Sequence, residues 1–437
     1  MPRLSIAAVV LLALALPGVS RANKGDPLRL SIFTPPPGEP ASDGSSDHPA
    51  FSKDNRDVRM VAFDSAATDL VPGDTNGRRD VFVLLKQRGA GKMGGRLVRV
   101  SVGPGGAQGN GDSAYPAVDG TTGAPPHCIA FQSTATNLAA RASSHASSVY
   151  LRDLSKRTTR LVSAGAHSAV DPSIDGRCRA VAYEGDGWVL LRDLSSRRLL
   201  RIARGEHPDL QTDAGGVAYD SGGEVYLQRV TRTRRGTLVR AGRPVLVSKS
   251  RGGQPGDGAS SNPAVDDHGN YVAFQSRAGN LCLSTCPGHV LPGDADPTDA
   301  GDNVFIAVLH PPAELVMPRM SFLGPGENPR ITRAGEDGVF QSNRPSYFGP
   351  PVTNVYRWHW SERDGRYGRQ LLTAEPYWRV GTFTFNGPSV NPSISSRGNY
   401  VAFTSFGSGL FGESNGPTIS DVFMRFIGVS HEGLPTY

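Results

Sequence analysis

Apolar residues fall along this chain in short runs that alternate with polar ones and are cut off by Gly, Pro, Asn and Asp. Asp80-Val81-Phe82-Val83, Ser148-Val149-Tyr150-Leu151 and Asn303-Val304-Phe305-Ile306 show the pattern. β-Branched and aromatic residues at period two predict strands, and few stretches hold the 3.6-residue period of an amphipathic helix. The expectation is many short strands joined by turns.

The runs are not independent of one another. One phrase recurs: a polar or aromatic residue, Pro, a small residue, an apolar residue, a turn, then Val-Ala-Phe or a near relative. Its clearest copies run from Asn262-Pro263 to Phe274 and from Asn391-Pro392 to Phe403, and weaker copies start at Pro49, Pro116, Pro172, Pro208 and Pro329, seven in all. The step from Pro to the closing aromatic is eleven residues for Tyr183, Tyr219, Phe274, Phe340 and Phe403, fourteen for Phe63 and fifteen for Phe131. After each aromatic comes a third strand of the Val-Phe-Val kind. A fourth of the Leu-Val-Ser kind follows, at 97–101, 159–163, 199–202, 245–248, 315–317 and 370–373.

Each unit is thus four strands, here called a to d. One four-stranded sheet cannot cover both of its own faces, but sheets arranged radially cover one another. The repeat therefore predicts an all-β fold, a seven-bladed β-propeller. The seventh unit shows no clear strand d after Asp421 to Met424, whereas Leu28 to Phe33 precedes the first unit without belonging to it. This N-terminal strand, 28–33, is expected to complete the last blade and close the ring.

Composition agrees: 53 Gly and 34 Pro supply turns. Arg3, the apolar run from Ile6 to Leu16 and the small residues Ser20 and Ala22 read as an export signal. The expected division is a signal peptide over 1–22 and a propeller over 23–437, in a periplasmic or secreted protein without membrane insertion. Export permits disulfides. Cys128 and Cys178 precede the central strand in adjacent blades and can bridge them, while Cys282 and Cys286 lie in one loop and can pair locally, although four cysteines allow other connectivities. The net charge of +6 is mild, with a basic cluster at Arg232, Arg234 and Arg235 that reads as a solvated hairpin. Nothing resembles a nucleic-acid module.

The Pro-x-apolar-x-x-x-Gly turn, the Val-Ala-Phe strand and the Asp80-Val81-Phe82-Val83 strand resemble the TolB-type propeller repeat of exported bacterial proteins. Leu70 to Gly77, between two strands, is especially similar to that family, and the resemblance covers the chain downstream of the signal. TolB carries a separate α/β domain before its propeller that finds no counterpart here, so its docking to an envelope lipoprotein is not implied. The repeat also occurs in peptidases and lyases and implies fold, not activity.

Propeller topology places the residue before each repeat Pro around the mouth of the central channel. These candidates for ligand binding are His48, Tyr115, Asp171, His207, Asn262, Asn328 and Asn391. All can hydrogen-bond, and the two histidines titrate near neutral pH. The alternative is that they tie down their own turns. The loops between strands b and c are short in blades three and four (184–187 and 220–223) and long elsewhere, which predicts a groove near Asp171 and His207. Asp74, Asn76 and Asp80 have oxygen ligands at the spacing that opens a calcium loop, as do Asp294, Asp296, Asp299 and Asp302, but both lack the later Glu. Calcium is the one cofactor to consider. No nucleophile elbow, zinc-protease helix or phosphate loop is present. The leading expectation is a monomeric binding or scaffold propeller for a protein or glycan of the cell envelope. The alternative is a channel-site polysaccharide lyase or glycosidase. Converging ionisable side chains with displaced pKa values would favour chemistry.

Overall fold

A computed structural model describes residues 27–29, 42–54, 58–86, 95–142, 146–281, 301–309, 320–343, 352–361, 366–373, 387–406 and 419–427. Of seven antiparallel sheets, six are built in chain order from a to d, as the repeat predicts, and the seventh draws its outer strand from the N-terminal part of the chain. Strands a are Ser46–Phe51, Ser113–Val118, Ala169–Ile174, Glu206–Leu210, Ser260–Val265, Glu327–Ile331 and Ser389–Ile394. Strands b, from Met60–Ser65 to Tyr400–Ser405, hold the Val-Ala-Phe phrase. The protein is a seven-bladed β-propeller.

Why the phrase is apolar throughout follows from its place. Strand b lies second from the channel with a blade on either side, and Phe63, Phe131, Tyr183, Phe274 and Phe403 show no exposed surface. In six blades this aromatic faces an aromatic of strand c across the ladder, as in Phe274 and Phe305, whose ring centroids are 6.0 Å apart. Blade three places Leu190 opposite Tyr183 instead. The repeat's terminal Ser also has a role. The hydroxyls of Ser101, Ser163 and Ser248, with that of Thr373, accept the backbone N–H of the second residue of strand c, Val81, Val149, Val225 and Val355.

Closure of the ring is visible in the packing. Seven apolar clusters among the described residues each join two neighbouring blades, and one joins Phe51, Val61 and Phe63 of the first blade to Tyr400, Ala402 and Met424 of the last. In the last blade the outer strand is Pro27–Arg29, paired antiparallel with Asp421–Phe426 in the register Leu28 opposite Met424. The N-terminal strand thus completes the seventh blade, although residues 30–33 of the expected segment lie outside the described residues. The signal segment lies outside them too.

Two outer strands differ from expectation. In blade five, strand d is Met320–Pro325; the expected 315–317 falls outside the described residues. Apolar alternation occurs in both segments, so alternation alone does not choose between them. In blade four, strand c is nine residues long and takes two short partners, Leu238–Arg240 and Val245–Leu246. Pro244, which has no backbone N–H to give a ladder, directly precedes the second.

Cys128 and Cys178 form a disulfide between blades two and three, with their Cα atoms 5.9 Å apart. Cys282 and Cys286 lie outside the described residues.

Candidate binding site at the channel mouth

Every strand a carries a register shift at its X-Pro step, and the residue before each Pro is left-handed. The seven φ values lie between 47° for His207 and 52° for Tyr115 and Asn328. Asn, Asp and His tolerate this region better than other side chains. Six of the seven positions hold one of them, and Tyr115 is the exception. All seven line one central cavity of about 630 Å³.

The bulge turns the pre-proline N–H away from its own ladder, and in five blades the preceding blade receives it. Tyr115 N donates to Asp64 Oδ2 (3.2 Å), Asp171 N to Gln132 Oε1 (3.0 Å), Asn262 N to Asp220 Oδ2 (3.2 Å), Asn328 N to Gln275 Oε1 (3.1 Å) and Asn391 N to Gln341 Oε1 (2.7 Å). The acceptor in each case directly follows the buried aromatic of strand b. At the junction of last and first blades Thr404 holds that position and donates its hydroxyl to Asp47 Oδ1 (2.6 Å). Asp47 also accepts from His48 N and Asn391 Nδ2, both at 2.8 Å. Burial acts to raise the Asp47 pKa, but the His48 charge and these bonds hold it below the usual carboxylate range. Sequence reading missed the acceptor position because Asp, Gln, Glu and Thr all fill it. Its only signal is a short polar residue after each Val-Ala-Phe.

The side chains of the ring are not equivalent. His48 Nδ1 meets Asp64 Oδ2 at 2.8 Å and His207 Nδ1 meets Asp220 Oδ2 at 2.9 Å, which fixes each ring by a carboxylate of its own blade. For His48, burial works to lower the pKa, but the bond and charge of Asp64 with the charge of Asp47 outweigh it and raise the value. For His207 the Asp220 hydrogen bond comes first, with Asp220, Asp171 and Glu206 adding charge, and the pKa is likewise raised. Tyr115 stacks on His48 with centroids 3.9 Å apart and stays 44% exposed. Asn262 donates its amide to Gln275 Oε1 (2.9 Å) and to Asn328 Oδ1 (3.4 Å).

Besides the His48–Asp64–Asp47 group of blade one, ionisable groups converge at the junction of blades three and four. Asp171 and Glu184 of blade three face Glu206 and His207 of blade four, beneath the tight b–c hairpins expected there. Neither the Asp171 nor the Glu184 carboxylate has a hydrogen bond among the described residues. Burial pushes the Asp171 pKa up against the pull of His207 and Arg330, while burial, Glu206 and Asp171 push up that of Glu184. Glu206, His207 and Asp220 bring ligand atoms within 4.8 Å of one another and could hold a metal ion. A similar group, Asp119 and His127 beside Cys128 and Cys178, has its sulfurs committed to the disulfide.

At the other end the a–b turns link blade to blade through the backbone: Lys53 N to Asp119 O, Gly120 N to Gly176 O, Gly176 N to Thr212 O, Asp267 N to Arg333 O and Arg333 N to Ser396 O. A Cβ on Gly176 would lie 2.4 Å from Gly120 O, so this approach needs glycine. Two side chains then cross the opening. Lys53 Nζ reaches Leu210 O at 2.9 Å, from blade one to blade four, and Arg333 Nη1 reaches Thr122 Oγ1 at 2.7 Å, from blade six to blade two. The channel is bridged at this end, and among the described residues no side-chain contact crosses it at the pre-proline end.

The calcium candidates lie apart from the mouth. Arg99 sits between Asp74 (3.0 Å) and Asp80 (3.7 Å), and Asn76 Nδ2 donates to Asp80 Oδ2 at 2.8 Å. Asp294, Asp296 and Asp299 lie outside the described residues; Asp302 pairs with Arg277 at 3.1 Å.

Among known proteins no family model matches this chain, and no curated protein matches its sequence. Solved structures with a similar fold include TolB from Acinetobacter baumannii, 15% identical over 81% of this chain and 67% of that one, with a TM-score of 0.37. An oligogalacturonate lyase from Vibrio parahaemolyticus is 11% identical, over 94% of this chain and all of its own (TM-score 0.47). The β-propeller domain of the Trilobed protease from Pyrococcus furiosus is 10% identical, over 87% and 95% (TM-score 0.45). The resemblance to TolB-type propellers holds at the level of fold. It assigns no activity.

Proposed function

We propose that this protein is an extracytoplasmic binding module that takes a protein or glycan ligand at the open end of its channel. One observation carries the reading: among the described residues a cavity bridged at one end presents a hydrogen-bonding group from every blade at the other, where the Asp171 and Glu184 carboxylates of blade three have no hydrogen bond. Concave sites with a few convergent polar groups are where ligands bind. The leader-like N-terminus and the Cys128–Cys178 bond support a place outside the cytoplasm.

The test is a screen of envelope-derived peptides and glycans, with hits measured again on Asp171→Asn and His207→Gln. Each substitution is expected to weaken binding at least about tenfold, the loss of one charge-assisted contact. Unchanged affinity in both variants rejects the site.

A second reading has its own support. The His207–Asp220 pair beside two carboxylates of raised pKa is the convergence that acid–base chemistry needs. A channel-site lyase or glycosidase would cleave a bound polysaccharide, and His207→Gln would stop cleavage. Binding takes precedence because the ring of donors and acceptors spans all blades, whereas Asp171, Glu184, Glu206 and His207 come from only two.

A further inference from the structure

Away from the channel, the outer strand of blade three, Leu199–Arg204, forms the edge of its sheet and carries Arg201 and Arg204, both exposed. The two guanidinium carbons lie 5.4 Å and 4.6 Å from the ring centroid of Trp188, the residue opposite Arg204 in the ladder. Arg197 and Arg198, also exposed, precede the strand, and Arg160 of the neighbouring blade is close enough to Arg197 to feel its charge.

An exposed arginine usually settles against a carboxylate. Here three carboxylates of blades two and three are spent: Asp193 on Arg232 and Ser195, Asp153 on Lys156 and Ser155, and Asp186 on the N–H groups of His167 and Ser168. No acidic side chain among the described residues lies within 4.0 Å of Arg197, Arg198, Arg201 or Arg204. Cations on an edge strand also discourage edge-to-edge pairing, and any lysine would serve for that. The aromatic contact does something further. It holds two planar guanidinium groups in place through cation–π attraction while leaving their charge and in-plane N–H donors free. Donors arranged this way receive oxyanions in pairs.

We propose that the Trp188–Arg201–Arg204 edge of blade three binds an acidic polysaccharide, its carboxylate or sulfate groups docking along the strand. A polysaccharide is favoured over single-stranded nucleic acid because the arginines already cover the Trp188 ring, which leaves no platform for base stacking. The site is independent of the channel mouth.

The experiment measures affinity for polygalacturonate and heparin oligosaccharides at low ionic strength, with single-stranded DNA of matched charge as comparison. Arg201→Gln with Arg204→Gln is expected to weaken binding at least tenfold. Arg234→Gln with Arg235→Gln, which removes the same charge from the blade-four hairpin, is expected to change it less than twofold. Trp188→Leu keeps every charge but frees the guanidinium groups, and should weaken binding several-fold. The two oligosaccharides show whether carboxylate or sulfate is preferred. The proposal fails if neither binds, if the two double variants lose affinity equally, or if DNA binds as tightly.

Discussion

Phe274 packs in the cluster between blades four and five together with Val225, Leu227 and Phe305, and none of its surface is exposed. Removing a buried ring of this size forfeits its transfer energy and leaves a cavity that rigid neighbours cannot fill. Phe274→Ala is expected to lose about 3–5 kcal/mol, read as a shift in the denaturant midpoint. Phe403 occupies the matching position in blade seven and should respond alike. A loss under about 1 kcal/mol at either would contradict the packing described. At the mouth the residue scale works differently. Seven left-handed residues carry conformational cost, offset at six of them by an N–H that the preceding blade or a neighbouring carboxylate receives. Tyr115 has the least intrinsic tolerance for that backbone, yet its ring stacks on His48 at the mouth and stays partly exposed.

The element that ties blade to blade covalently is the Cys128–Cys178 bond, which spans 50 residues of sequence. Closing a loop of that length in the unfolded chain is worth about 4 kcal/mol on the chain-entropy view. Cys128→Ser with Cys178→Ser should therefore lower stability by up to that amount. The loss should be seen in chemical denaturation and be absent when the wild-type protein is already reduced. Pairing of these two cysteines was legible in the sequence because the repeat fixes where each sits in its blade. The same logic placed the first strand on the last blade, since Asp421 to Met424 lacked an outer partner. Legibility ended where chemistry varies while geometry does not. Asp64, Gln132, Asp220, Gln275 and Gln341 perform one task with different side chains, so no motif marks them. Lys53 and Arg333 bridge the channel through contacts with blades remote in sequence, which no local pattern records. Trp188 reads as an ordinary strand residue until Arg201 and Arg204 are folded onto it.

For the molecule as a whole, several buried ionisable groups push stability in the same direction with pH. Asp119 and Asp266 cap a–b turns, and burial raises each to about 6 despite the backbone N–H groups they accept. A carboxyl raised by folding contributes stability that is complete below its unfolded value near 4 and is lost as pH rises through about 6. His48 and His207 are raised as well, so their contribution is present below about pH 6.5 and disappears as pH climbs through their folded values. Asp153 and Asp193 run the other way. Burial opposes the shift, but hydrogen bonds from Ser155 and Lys156, and from Ser195 and Ser196, lower both, Asp193 to about 2. Their contribution needs a pH above about 4 and is lost below it. The melting temperature is thus expected to peak near pH 5 and to fall by roughly 5 °C towards pH 7.5. Growing positive charge in acid works against this trend, so the sharper measurement is a difference. Asp266→Asn keeps the side-chain oxygen that accepts from Asn270 N and Tyr271 N while removing the charge. Its melting temperature should exceed that of the wild type at pH 7.5 and converge with it at pH 4. A variant that melts lower at pH 7.5, or a gap that widens in acid, would mean that the charged form of Asp266 is what the turn requires.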